Sequence, residues 1–228
     1  MLALYHEIIY RPLLNLLIYF YNVIPDMGVV IILLTVLIRL VLAPSFHKSL
    51  KSQKAMTALQ PKLNEVREKH KDNKEAQARA IMDLYKEHKI NPLSSCLPLL
   101  IQLPLLIALY QVFSKALHNN LQGLYAFVHA PTSINPFFVH LIDLSKPNII
   151  LAVFAGALQF WQSKMMMAKA DGGDATAKAM AIQTTYVLPV LSVVIAWKLP
   201  AGLPLYWIVT TLFAILQQYY IMRQQKES

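Results

Sequence analysis

A single cysteine, Cys96, in 228 residues excludes a disulfide framework. None of the six glycines precedes a lysine in a phosphate-loop pattern, so no nucleotide-hydrolysing machinery is visible. Charged residues make up 14% of the chain, against about 25% in soluble domains. That deficit leaves too little polar surface to solvate a compact globule. The opening residues lack a basic stretch and a small-residue cleavage site, so no removable signal peptide is expected.

What is abundant is apolar length. Apolar residues make up 56% of the chain, with long runs at 28–44, 97–117, 148–168, 181–199 and 202–222. Each approaches the ~20 residues that cross roughly 30 Å of hydrocarbon as a helix. No Asp or Glu falls inside these runs, and all seven histidines lie outside them. A proton-coupled transporter usually wants intramembrane carboxylates. An intramembrane serine or zinc protease needs a histidine inside. The chain is therefore expected to be neither an enzyme nor a metalloprotein, and no cofactor is implied.

Residues 1–27 repeat Leu13, Leu16, Leu17 and Phe20 at helical spacing and carry Tyr5, Tyr10, Tyr19 and Tyr21, an aromatic type that settles at headgroup level. The reading is a helix lying in the interface, with a sixth span as the alternative. Residues 45–90 hold eleven Lys/Arg and six Asp/Glu. Met56, Leu59, Leu63 and Val66 form one narrow stripe, and Ala78, Ile81, Tyr85 and His88 another, with the polar stretch 69–74 between them. This pattern predicts a helical hairpin whose stripes face each other. Pro61 is expected to kink its first helix. A solvated charged face near anionic lipid explains the charge equally well. Gly172-Gly173 predicts a turn between the third and fourth runs, and 199–202 a tight link between the last two.

Lys and Arg set the orientation. With five spans and 45–90 inside, sixteen of them are inside and four (Arg11, Lys115, Lys146, Lys198) outside. The N-terminus is expected outside and the C-terminus in the cytoplasm. The remaining cation, Arg39, interrupts the first apolar run. A charge at mid-bilayer costs at least about 2.5–3.5 kcal/mol and marks a functional position by default. Pro44 lies five residues on, roughly 7–8 Å along a helix axis, so a side chain snorkeling to the interface is the competing reading. Thr35 shares its helix face. Gln102 and Gln111 in the second run, Gln159, Gln162 and Ser163 in the third, and Thr210, Thr211, Gln217 and Gln218 in the fifth read singly as interhelical hydrogen bonds. With Arg39 they suggest a partly hydrated interior.

The segment around Arg39, the pattern NPLSSCLPLLIQLPLLIALY at 91–110 and KLPAGLPLYWIVTTLFAILQQ at 198–218 resemble the YidC/Oxa family of membrane protein insertases. The resemblance runs from Gly28 to Tyr220 and is weakest over 118–146. It implies an all-α integral membrane protein in the bacterial inner membrane. Its expected parts are an interfacial helix (1–27), a first transmembrane helix (28–44), a cytoplasmic helical hairpin (45–90) and four further spans (91–228), making a five-transmembrane-helix bundle. The function implied is ATP-independent insertion. A hydrophilic groove receives the polar ends of single-span or hairpin substrates, whose apolar segments pass into lipid. Arg39 and Thr35 match groove positions. Tyr206 and Trp207 match an aromatic pair that meets nascent chains, and Gln159, Gln162 and Ser163 match a polar patch. Implied partners are nascent membrane proteins and the bilayer, with the Sec translocon, the signal recognition particle pathway or the ribosome as further candidates and no direct role for nucleic acid. The sequence carries neither the large extracytoplasmic domain nor the extra first span of Gram-negative members. With only Arg223 and Lys226 at its end, it lacks the long basic tail through which some members dock ribosomes. A small channel or transporter is the rival reading.

Overall fold

The structure is a computed structural model and describes residues 2–91, 97–117, 121–166 and 182–224. Cys96 and the Gly172-Gly173 turn lie outside the described residues. The chain is mostly helical: α1 (Leu2–Tyr5), a π-helical turn (His6–Tyr10), α2 (Arg11–Val23), α3 (Met27–Lys69), α4 (Lys74–Glu87), α5 (Leu97–Leu117), α6 (Ile149–Met166), a second π-helical turn (Gln183–Val187), α7 (Leu188–Ala196) and α8 (Gly202–Gln224). Helices α3 and α5–α8 follow the five apolar runs. Among the described residues, α3 and α8 contain stretches long and apolar enough to cross a membrane, while the described parts of α5, α6 and α7 are apolar but shorter. Their outward faces carry Leu33, Leu103, Ile150, Phe154 and Val190, each more than a third exposed. Such a surface suits hydrocarbon rather than water.

Helix α3 begins where the Asp26 carboxylate accepts a hydrogen bond from Val29 N–H at 3.0 Å, an N-cap that satisfies one otherwise orphaned donor. The helix then runs 43 residues through both Pro44 and Pro61. The expected first span and the first arm of the expected hairpin are thus one continuous helix. The turn comes at His70–Asn73, and the Asn73 side chain caps α4 by accepting from Ala76 N–H at 3.0 Å. Leu59 and Leu63 of the first stripe are buried, whereas α4 has no buried residue. Ala78 is exposed; Ala76, Gln77, Ala80, Ile81, Leu84, Tyr85 and His88 are half-buried, so the facing edge of α4 is rotated relative to the expected stripe at its start. Gln77 donates to the Arg67 carbonyl at 2.9 Å.

The principal core joins α2, the start of α3, α5 and the start of α8. Leu14, Leu17 and Ile18 on α2, Val30 and Leu34 on α3, Ala108 and Val112 on α5 and Tyr206 on α8 are nearly inaccessible. A second cluster joins α6 to α8 through Ala155, Leu158, Ile208 and Ile215. One end of the bundle is closed by the segment 121–148. It contains a short hairpin, β1 (Phe137–Phe138) with β2 (Ile142–Asp143), paired Phe137 to Asp143 and Phe138 to Ile142. Side chains of α2 hold this segment in place. Asn15 donates to the Gly123 carbonyl at 3.2 Å and accepts from Tyr125 N–H at 2.7 Å. Asn22 donates to the His129 carbonyl at 2.8 Å, and the Tyr21 hydroxyl accepts from Asn135 N–H at 2.7 Å. Phe138 packs closely on Gly28, where an added Cβ would meet its ring at 2.1 Å and its Cβ at 2.5 Å. Only glycine admits that approach.

Candidate functional site: a buried arginine between three helices

Position 39 faces inward because it shares a face of α3 with Thr35, one turn earlier. Thr35 is 1% exposed and Arg39 6%. The Thr35 hydroxyl donates to the Ile31 carbonyl at 2.6 Å, so its proton is satisfied within its own helix. The Arg39 guanidinium donates through Nη2 to Gln102 Oε1 on α5 at 3.2 Å. Gln102 Nε2 in turn donates to the Tyr206 hydroxyl on α8. The guanidinium carbon lies 4.4 Å from the centroid of the Phe46 ring, two turns further along α3. Three helices thus converge on one cation, linked by a single glutamine.

The charge balance at this point is unusual. Arg39 has no carboxylate partner among the described residues, where the ion pairs involve other cations. A guanidinium carries five N–H donors, and among the described residues one hydrogen bond engages them. Desolvating such a charge without pairing it costs several kcal/mol. The arrangement therefore calls for water or an incoming acceptor.

The continuity of α3 bears on the two readings of this arginine. Pro44 does not end the helix. At 1.5 Å per residue, about 30 Å of hydrocarbon beginning at Met27 ends near His47. Arg39 then lies roughly 12 Å inside that boundary, beneath Phe46. An interior position fits this placement better than a snorkeling one.

The other sequence-derived positions divide. Tyr206 joins the arginine, with 1% of its surface exposed. Trp207, its neighbour in sequence, is half-buried against the second cluster. Successive helical residues point about 100° apart, and the aromatic pair is split accordingly. Gln159, Gln162 and Ser163 are half-buried on α6, and among the described residues no hydrogen bond ties them to Arg39. Gln159 Oε1 and Gln218 Oε1 are buried without a hydrogen-bond partner among the described residues. Gln102 and Phe46, which complete the arginine's surroundings, were not among the sequence-derived site positions. A glutamine in an apolar run marked the first, and the i+7 spacing from Arg39 would have marked the second.

A family model described as "60Kd inner membrane protein" matches residues 19–228. The chain belongs to this family. A membrane protein insertase YidC from Fusobacterium nucleatum subsp. nucleatum is 36% identical over 199 residues, covering 87% of each chain. The YidC insertase of Geobacter sulfurreducens is 37% identical over 215 residues, 93% of this chain, but the match spans only 37% of that protein's length. The YidC insertase of Nitratidesulfovibrio vulgaris Hildenborough is 40% identical over 220 residues and likewise much longer, with 38% of it covered. Among solved structures, an active YidC insertase with its first transmembrane domain resolved superposes with a TM-score of 0.62 at 26% identity, covering 92% of this chain and 46% of that one. The YidC family membership and the predominantly helical fold expected from the motifs are thereby established; the relatives are named membrane protein insertases, and the family model an inner membrane protein.

Proposed function

We propose that the chain is an ATP-independent membrane protein insertase and chaperone. In this reading α3 and α5–α8 are five transmembrane helices, 1–27 lie in the outer interface, and 45–90 project into the cytoplasm as a hairpin. Arg39 and Tyr206, joined by Gln102, form with Thr35 the floor of a hydrophilic groove. Gln159, Gln162, Ser163 and Trp207 supply its farther wall. The groove receives the polar end of a single-span or hairpin substrate and releases the apolar segment sideways into lipid.

The observation that carries this reading is Arg39, buried with no carboxylate partner among the described residues. A fixed cation with water around it lowers the desolvation cost of moving a polar tail into the bilayer. It attracts acidic side chains and carbonyls, and with no resident carboxylate to displace, an incoming acceptor meets an open donor set. Burial of the substrate's apolar span supplies the net driving force. A membrane potential adds about 2.3 kcal/mol per charge per 100 mV for acidic tails.

The test is reconstitution of the protein alone in liposomes with a short single-span substrate. Arg39→Lys retains insertion, Arg39→Ala loses most of it, and Arg39→Glu loses it most for substrates with acidic tails. Wild-type rates with Arg39→Ala and an acidic-tailed substrate would exclude the charge mechanism. Selective solute flux without insertion would favour a channel or transporter instead.

A further inference from the structure

The face of α3 next to Arg39 opens outward. Arg39 is 6% exposed, whereas Leu40 is 57% exposed. Here α3 and α8 part to leave a cleft of about 530 Å³, walled by apolar residues including Leu40, Ala43 and Leu216 and rimmed by His47, Gln217 and Tyr220. Gln217 bridges the two helices by donating to the Ala43 carbonyl at 3.5 Å.

Depth follows from length. Twenty residues, about 30 Å of helix, lead from Met27 to 47 and from Gly202 to 222. His47 and Tyr220 therefore sit at or near the headgroup level of the hairpin side, while Gln217, about 7 Å deeper, lies with the walls in the adjoining leaflet. One turn beyond His47 on the same face is Lys51, and three residues beyond Tyr220 is Arg223. The cleft is apolar along its depth, polar at its mouth and basic just outside. Apolar walls suit an acyl chain, and a polar mouth with cations beyond it suits an anionic headgroup.

We infer that this cleft binds one anionic phospholipid, with an acyl chain between α3 and α8 and the phosphate at His47 and Lys51. The inference rests on the bilayer placement proposed above. Its test is site-specific photocrosslinking in nanodiscs that contain phosphatidylglycerol and phosphatidylcholine but no substrate. A benzoylphenylalanine at Leu216 is expected to capture lipid, with phosphatidylglycerol favoured about fivefold, the preference expected of one basic residue at a membrane surface. Lys51→Ala removes that preference and Lys51→Arg keeps it. Ala43→Phe, which fills the cleft, lowers capture of both lipids. Equal capture of the two lipids, indifference to Lys51→Ala, or displacement of the lipid by a substrate span added afterwards would each overturn the assignment. Lipid capture by the Arg39→Ala variant is expected to equal that of the wild type, so a failed groove mechanism and a failed lipid site give different results.

Discussion

Arg39 and Gln102 stand 63 residues apart in the chain and meet side chain to side chain. This contact yields a prediction that separates the arginine's charge from its packing. Gln102→Glu places a carboxylate against the guanidinium and neutralises it in place. Folding is expected to survive, because the buried pair keeps its hydrogen bond. Insertion of acidic-tailed substrates is expected to fall severalfold, since the resident carboxylate now competes with them. Gln102→Leu keeps the charge, removes its partner and costs roughly 1–3 kcal/mol of stability, read as a lower thermal midpoint in detergent. Wild-type insertion by Gln102→Glu would show that the free charge is dispensable. The arginine and Thr35 were legible in the sequence because one helix period relates them. The glutamine's role was not, because the register between α3 and α5 leaves no trace in either helix's own periodicity. Pairing Tyr206 with Trp207 followed adjacency in sequence, whereas the helix sends them to different neighbours.

At the level of elements, α3 is the largest departure from expectation. Pro44 reads as a stop because proline in a helix interior costs about 3 kcal/mol or more. Transmembrane helices tolerate it where neighbours or water reach the carbonyl it frees, here that of Leu40, and α8 packs along this stretch, with the Gln217 amide donating to the Ala43 carbonyl at 3.5 Å. The hairpin beyond is lightly held. Its ion pairs Arg79–Glu75 and Lys86–Asp83 are between exposed side chains, and such pairs add little. Deletion of residues 55–85 is accordingly expected to leave the bundle folded by circular dichroism and thermal melting while impairing insertion. Loss of the folded bundle would assign the hairpin a structural role. The segment 121–148 was the least legible part, since its order comes from side chains of α2 and not from its own pattern. Within it, the Ser145 hydroxyl foremost, and then Lys146, hold the Asp143 carboxyl below the usual carboxylate range against the opposing effect of burial. A lowered folded pKa means that the stabilisation is complete above about pH 4 and is lost as pH falls through the lowered value. Amide protection at Leu144, whose N–H donates to the Pro136 carbonyl at 3.0 Å, is expected to drop on acidification. Asp143→Asn should abolish that pH dependence. Unchanged pH dependence in the variant would place the titrating group elsewhere.

For the whole molecule, charge separates along the bundle axis. The four cations expected outside gather at one end. Arg11 donates to the Gly123 carbonyl at 3.0 Å, Lys115 lies 4.7 Å over the Tyr10 ring, the Lys146 carbonyl accepts from Ala201 N–H at 2.9 Å, and Lys198 lies 5.4 Å over the Trp197 ring. Of the eleven Lys/Arg of 45–90, nine occupy the continuation of α3 and the helix that returns along it, Lys71 lies in the turn between them and Lys89 just beyond. The sequence anticipated this division by counting, with no knowledge of which residues touch. A membrane-embedded chain with so many cations at one end and few at the other takes the orientation that keeps the many in the cytoplasm. On the five-span reading proposed above, the two termini lie on opposite sides. With Cys96 replaced by serine, a cysteine at Lys71 in the hairpin turn is expected to react with a membrane-impermeant maleimide only after the cytoplasmic face is opened. One at Gln122, in the closing segment, should react in intact cells. Both positions are exposed, so failure to label reflects sidedness and not burial. Labelling of Lys71→Cys in intact cells would invert the molecule, place the hairpin outside, and remove the path by which a nascent chain made in the cytoplasm reaches Arg39.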